Sequence, residues 1–543
     1  MKTKRLLFAA VSFVAAVIVT GCIFDSPEMQ EDNSSTDSSV VTVTVTMPDS
    51  TPGTRISMEE DGTSIDLTWE AGDKLDLLII YDGYRKTQTA PITVLPGDGK
   101  KATFTFELPS GDYETFDLYA IYGGGGLLEE YEENFMATLF DYGYTTSSNL
   151  ADIAKKKSIV LTLSKTGVSR SFSSLSLELK HIGSFFNIQL KNAGSSVLQK
   201  VTEVRLTASS DMPAYNVSAD HRYNVLTGGF SGALAKKLIF KPVSSSNIVP
   251  EGVLEFWGWI PMHENADWPE LNLEIESNYT TIATTIPKSE RTATVGKAYC
   301  LYATYDGSSL SFATSAAITV PVGKAADFRD GYLYNTVTIG NQVWLGENLK
   351  YLPEINDVQD NSYIEPCYYV YGYPDSGAPD VAIAKTTNNY QIYGVMYNWP
   401  ATMALAASSN TNPSGIQGAC PKGWHVPSRV EWDELKVYLD HVGGAKLKEA
   451  GTEHWDEPNS GGTYLNQTGF TARPGGVRYN GDSIYGLERG FHFMGNRGLW
   501  WSATEPSHTT QLAGDMSLYY NLNNIYQGSH AKDVAISVRC VKD

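Results

Sequence analysis

The sequence predicts a mainly β chain that closes with a unit mixing helices and short strands. Three observations carry this. Short runs that alternate apolar and polar residues recur between clusters of Gly, Pro, Asn and Asp, the pattern of half-buried strands. Tyr reaches 32 residues and Gly 48, so aromatic strand formers and tight turns are both plentiful. Long helical patterns are few, and they fall in the C-terminal part. At 543 residues the chain has room for about three domains. A hydrophobic fraction of 42% with 19% charged residues allows a large core. The net charge of −20 repels phosphate backbones and argues against a nucleic-acid partner.

The first residues are a leader. Lys2, Lys4 and Arg5 precede an apolar run from Leu6 to Val19. That run is shorter than the roughly 20 residues of a membrane span, so it reads as a secretory signal. It ends in Val19-Thr20-Gly21-Cys22, which resembles the lipobox of bacterial lipoproteins. The resemblance implies that residues 1–21 are removed and that Cys22 carries acyl chains such as palmitate. The membrane is then met through a lipid anchor only. Residues 22–39, with Asp25, Glu28, Glu31, Asp32 and many serines, form a flexible polar tether. Ile23 stands where an inner-membrane retention signal would place Asp. The acidic residues resemble the surface-export signal of some Gram-negative anaerobes, which implies the outer membrane and an exposed position.

From Val40 the strands follow in order. "VVTVTVTM" places Val on one face and Thr on the other. "DSTPGTRISMEEDG" is a loop around Arg55. Ile65, Leu67 and Trp69 alternate, Gly72-Asp73 turns, and Leu75 to Tyr81 is a buried strand. "ATFTFELP", "FDLYAIYG", "SIVLTLS", "LSLELKHIGSFFNIQLKNAG", "VTEVRLTAS", "GVLEFWGWIP", "LNLEIES" and "SLSFAT" continue the series. Their spacing suggests β-sandwiches. Gly123 to Gly126 is a mobile loop, because no Lys-Ser/Thr follows to cradle a phosphate. Glu129, Glu130, Glu132 and Glu133 form a solvated face.

"TWEAGDKLDLLI", "LKHIGSFFNIQLKNAG", "GVLEFWGWIP" and "GKAYCLYATYDGSSLSF" are similar, in order and spacing, to the fimbrillin family of lipoprotein pilus subunits. The resemblance implies two transthyretin-like β-sandwich halves, here 40–180 and 181–315. In that family a protease cuts after an arginine in the loop behind the first strand. The strand leaves, and the groove accepts a strand from the next subunit, held by main-chain hydrogen bonds and alternate side-chain pockets. Arg55 is the only arginine between Arg5 and Arg85 and lies in the matching loop.

Residues 316–325 read as a linker, after which Trp, Gly, Asn and Cys become denser. Tyr332, Tyr334, Val337 and Ile339 mark a strand, Gly340-Asn341 a turn, and Val343-Trp344-Leu345 its partner. In "YGVMYNWPATMALAAS" Pro400 stands at the start of a helix with a helix-favouring tail. Ser428 and Glu431 have the spacing of a capping box. Trp432, Leu435, Leu439 and Val442 share one helical face, and Gly443 ends that helix. His425, just before the cap, reads as a buried, hydrogen-bonded imidazole rather than a ligand. With Cys22 set apart, Cys300, Cys367, Cys420 and Cys540 allow three pairings, and no Cys-x-x-Cys occurs for zinc or redox chemistry.

The combination of Ile339 to Trp344, Glu347-Asn348-Leu349, Tyr393-Gly394, Tyr397-Asn398-Trp399, Cys420-Pro421, Gly423 to Pro427, Glu431-Trp432, Leu447-Lys448, Gly469-Phe470, Pro474-Gly475-Gly476, Trp500-Trp501-Ser502 and Ser537 to Cys540 resembles the FISUMP-type major paralogous domain over residues 326–543. It implies an α+β C-type-lectin-like fold, without enzymatic activity, borne on surface lipoproteins. It also implies a disulfide between Cys420 and Cys540. Cys300 and Cys367 lie in different units and either pair across the linker or stay as thiols, the second being favoured. The fold class is thus mainly β: two transthyretin-like halves followed by an α+β C-type-lectin-like domain.

No motif of an enzyme is present: His-Glu-x-x-His, a Walker loop and Gly-x-Ser-x-Gly are all missing. Glu457-Pro458-Asn459 matches the loop by which sugar-binding C-type lectins hold calcium, a hard cation that favours carboxylate and amide oxygens. The accompanying Trp-Asn-Asp is absent, since Trp501 is followed by Ser502, and no cofactor is assigned. Trp500 and Trp501 read as core. The expected function is a lipid-anchored fimbrial subunit, at the tip or minor, assembled by strand donation and serving adhesion. Its expected partners are other fimbrial subunits and a host or bacterial glycan or protein. The alternative is a non-pilus surface lipoprotein that binds glycans within a polysaccharide-utilisation assembly.

Overall fold

The computed structural model describes residues 39–48, 67–97, 99–130, 134–138, 146–147, 153, 159–215, 222–288, 292–313, 320–374, 378–458, 461–482, 487–507 and 509–543. Among the described residues strands dominate, and the helical ones lie after residue 380 apart from Ile153. Among the described residues no helix is long and apolar enough to cross a membrane.

The N-terminal unit is built on β1 (Ser39–Thr46), β2 (Lys74–Tyr81), β3 (Tyr84–Val94), β4 (Lys101–Leu108) and β5 (Thr115–Tyr122). One sheet runs Ser176–Glu178, β1, β4, β3, β2, β5, Leu161–Ser169, Lys180–His181. β3 is long enough to pair with β2 through residues 84–91 and with β4 through residues 92–94, so the sheet bends over on itself there. The two ends of the sheet come from one segment: Ser176–Glu178 pairs with β1, and Lys180–His181 with Leu161–Ser169. The enclosed core takes the alternate residues of each strand, such as Val43 and Val45, Leu75 and Leu77, and Phe104 and Phe106. Trp69 joins that core outside any strand, its backbone bonded to Gly99.

The second unit is a two-sheet sandwich. One sheet orders Leu310–Ala313, Ala298–Tyr305, Gly183–Asn192, Val253–Pro261 and Thr146–Ser147; the other orders Lys237–Phe240, Leu198–Thr207, Leu271–Ser277 and Thr280–Ile286. Phe186, Ile188, Leu206, Phe256, Leu273 and Leu301 fill the space between them. Gly123 to Gly126 turn the chain out of β5 into the next strand, Gly126–Glu130.

The C-terminal head starts at Lys324–Asp327, which pairs with Tyr332–Ile339; residues 324 and 325, read as linker from the sequence, are strand. Its larger sheet continues through Gln342–Leu345 and Val541–Lys542 to Trp424–His425. A second sheet holds Arg497–Trp501, Leu512–Tyr519 and Tyr526–Ala531. Two helical expectations are corrected. The helix with Pro400 is only Trp399–Met403, because Ala404 and Leu405 take left-handed backbone and the Thr402 carbonyl is used by Ala419. The capped helix is Arg429–Tyr438 and stops before Gly443. Asp440 and His441 turn left-handed, His441 and Gly444 bond to Ile525 and Asn523, and Val442 is exposed rather than core.

Candidate functional site

Two places combine position and chemistry: the seat of β1 and the face of the head. β1 alternates Val and Thr, so one side of it is apolar. Val43, Val45 and the following Met47 are buried in the N-terminal core, with Val41 half-buried beside them. β1 pairs with β4 along its whole length, from Ser39 opposite Leu108 to Thr46 opposite Lys101. On its other side only Thr44 to Thr46 meet a strand, Ser176–Glu178. Thr44 donates to Leu175 at 3.0 Å, and Leu179 donates to Thr46 at 3.0 Å. The first half of β1 is therefore held from one side only among the described residues.

The energetics of this seat limit what it can do. Burying each large apolar side chain stabilises by about 1.5–3 kcal/mol. Val43, Val45 and Met47 together then contribute roughly 5–9 kcal/mol, comparable to the whole stability of a domain at 5–15 kcal/mol. An empty seat would expose the Phe104, Phe106 and Leu108 row of β4 and leave its amides unpaired. The seat must hold a strand of alternating apolar residues, either its own or another. Cys22 and Arg55, the expected lipid-attachment and cleavage residues, lie outside the described residues, as does Asn459 of the Glu-Pro-Asn tripeptide.

In the head, Cys420 and Cys540 form a disulfide that joins the entry of the Arg429–Tyr438 helix to the segment before the last strand. Cys300 and Cys367 carry thiols, and burial pushes the Cys367 thiol pKa up. His425 is buried, with Nε2 2.7 Å from Glu431 Oε1 and Nδ1 2.8 Å from Asp543 Oδ1. Glu431 Oε2 accepts the backbone N–H groups of Ser428 and Ser414, so one carboxylate closes the capping box, a loop and the histidine. Burial opposes a charged imidazole, but the bonds from Glu431 and Asp543 outweigh it and raise the His425 pKa. This histidine holds the entry to the helix, as its sequence context suggests.

The motif residues serve mainly as scaffold. Trp344 lies 4.5 Å from Trp432 and 5.7 Å from Phe470, and Phe470 lies 6.1 Å from Trp500. Trp500 and Trp501 are fully buried. Asn348 Oδ1 accepts from Trp500 Nε1 and from Arg539 Nη2, both at 2.8 Å, while its Nδ2 donates to Tyr393 and Ser537. Arg539 also donates to the Leu345 and Phe470 carbonyls. Burial pushes its pKa down to about 9, so it stays charged at neutral pH. The sequence shows these residues as a motif but not that they meet.

Polar groups also pair within the head, Lys350 among them buried. Arg473 bonds Glu449, His454 bonds the same carboxylate, and Lys350 bonds Glu347 and Tyr332. These charges neutralise one another. Among the described residues no three His, Cys, Asp or Glu side chains gather as a metal site. Arg497 differs from this pattern. It lies partly exposed between the rings of Phe493 and Tyr519, and sequence reasoning missed it because nothing local marks that stacking.

Residues 337–542 match the family described as the Fibrobacter succinogenes major domain. No curated protein matches the chain. Among solved structures it is similar to a candidate cell adhesion protein from Bacteroides uniformis, with 15% identity, a TM-score of 0.31, and 50% of this chain and 95% of that one covered. It is also similar to a C-terminally truncated tip fimbrial protein from Porphyromonas gingivalis, with 8% identity, a TM-score of 0.26, and 51% and 99% covered. A fimbrial assembly protein from Parabacteroides distasonis gives 8% identity, a TM-score of 0.24, and 51% and 95% covered.

Proposed function

We propose that this chain is a lipid-anchored surface subunit that assembles by strand exchange at the β1 seat and displays its C-terminal domain as an adhesive head. The seat carries the reading. An eight-residue strand contributes a large share of the core, yet its first half is held from one side only, so one strand of alternating apolar residues can follow another there. The leader that ends at Cys22 supports anchoring, and Arg55, in the segment between β1 and β2, supports release of β1 by proteolysis. A tip position belongs to the proposal, because an adhesive head acts from the free end of an assembly. The units are proposed as residues 40–180, 181–315 and a head that begins with the strand at Lys324, behind the polar tether and joined by a linker that ends before that strand.

The test uses the mature chain and limited trypsin. Cleavage after Arg55 should leave the body folded with β1 bound non-covalently. A fluorescent peptide of residues 39–46, added under mild denaturant, should then exchange into the cleaved protein and not into an Arg55→Ala protein. Resistance of Arg55 to cleavage, or equal uptake by both proteins, would overturn the proposal.

A further inference from the structure

Arg497 stands apart from the other arginines of the head. Arg329, Arg429, Arg473, Arg478, Arg489 and Arg539 each donate side-chain hydrogen bonds to carboxylate, amide or carbonyl oxygens. Arg497 has no such acceptor among the described residues, and its Nε is buried without a hydrogen-bond partner. Its guanidinium is nonetheless fixed, 3.8 Å from the centroid of the Phe493 ring and 5.3 Å from that of Tyr519. Tyr519, opposite Arg497 in the sheet register, meets Tyr526 edge to face at 5.3 Å. Tyr526 is 38% exposed. The loop between the two tyrosines, Tyr520 to Ile525, brings Asn521 and the exposed Asn524 to the same end of the sheet.

In a chain with a net charge of −20, the Arg497 guanidinium thus has no oxygen acceptor, carboxylate or other, among the described residues. Stacking between two rings fixes the rotamer in advance, so little side-chain freedom remains to be lost on binding. The buried Nε is closed to a ligand, so contact falls to the terminal nitrogens of this partly exposed side chain. A planar guanidinium matches a carboxylate through two parallel N–H···O bonds. The adjacent exposed tyrosine offers an aromatic face for an apolar sugar edge, and the loop amides offer donors and acceptors for hydroxyls.

We propose that Arg497, Tyr519 and Tyr526 form a subsite that reads the carboxylate of an acidic sugar. An acidic peptide would use the arginine but not the aromatic face and the amides, so the sugar is the better fit. The inference deepens the reading of the head as a recognition unit and rests on it. Because the whole protein is acidic, its field repels such a ligand at long range. Added salt screens that repulsion as well as the contact, so affinity should depend only weakly on salt.

The experiment is calorimetric titration of the full mature chain. The probes are 3′-sialyllactose and trigalacturonate, their neutral counterparts lactose and galactotriose, and a glutamate hexapeptide. At least one acidic sugar should bind about tenfold or more tighter than its neutral counterpart and than the peptide. Arg497→Met, which keeps the stacked stem, should remove that preference without moving the thermal unfolding of the head. Tyr526→Ala, a change at an exposed ring, should weaken the acidic sugar by several-fold. No binding of either acidic sugar, undiminished preference in Arg497→Met, or equal binding of the hexapeptide would overturn the assignment. Strand uptake at β1 does not involve Arg497, so failure here would leave the assembly reading standing.

Discussion

Removing the Cys420–Cys540 disulfide should unfold much of the head's stability margin. The two cysteines are separated by 120 positions and are both fully buried. Replacing both by Ala avoids burying new hydroxyl groups and takes away the cross-link. In the chain-entropy model a closed loop of that length restricts the unfolded chain by about 5 kcal/mol. Loss of sulfur packing at two core positions adds roughly 1–2 kcal/mol. Urea unfolding followed by tryptophan fluorescence reads the head directly, because Trp344, Trp432, Trp455, Trp500 and Trp501 lie in its core. At a slope of about 1–3 kcal/mol per molar urea, the midpoint should fall by roughly 2 M or more. The slope itself should rise, since the uncross-linked unfolded chain is more expanded. Neither Cys300, in a strand of the second unit, nor the buried Cys367 can restore the bond once both partners are gone. A stability loss below about 1.5 kcal/mol would refute the reasoning, because it would mean that the unfolded head keeps its ends together without the bond.

Two further outcomes test the scaffold. The folded pKa of His425 is raised above its ordinary value of 6.5, so its contribution is complete below that value and is lost as pH rises through the folded pKa. The stability difference between wild type and His425→Gln should therefore be largest below about pH 6.5 and should shrink above it; a difference that grows with pH would contradict the Glu431 and Asp543 pairing. Asn348→Leu takes a shared acceptor from Trp500 and Arg539 and a donor from Tyr393; at about 1–3 kcal/mol per orphaned group it should cost roughly 3–5 kcal/mol by denaturant unfolding, and a loss under about 1 kcal/mol would show that the network is replaceable.

Much of the fold was legible because it is written locally. Alternation in "VVTVTVTM" places Val43 and Val45 inside, and the Ser428 and Glu431 spacing marks a capping box that is present. Places where the sequence misleads depend on distant partners. Val442 continues a helical stripe, but the chain leaves the helix at Leu439 to bond with residues 523 and 525. The tail after Met403 favours helix by composition, yet Ala404 to Ala406 have nothing to bury against and are exposed. Strand spacing suggests a sandwich for the N-terminal layers; that β3 turns from one layer into the other, and that residues 176–181 tie both sheet ends, follows from pairing and not from pattern. Asn348 and Arg539 are 191 positions apart, and Arg497 meets Tyr519 only through sheet register. Contacts of that kind leave no mark in a local window.

The account turns on whether the β1 seat holds an exchangeable strand. The most direct measurement is hydrogen exchange of the β4 amides that face β1, those of residues 102, 104, 106 and 108, in protein cleaved at Arg55. Those amides should stay protected while β1 is bound, lose protection when it is washed out in mild denaturant, and regain it when the 39–46 peptide is added. Protection that persists without any strand in the seat, or that the peptide fails to restore, would contradict strand exchange as the means of assembly.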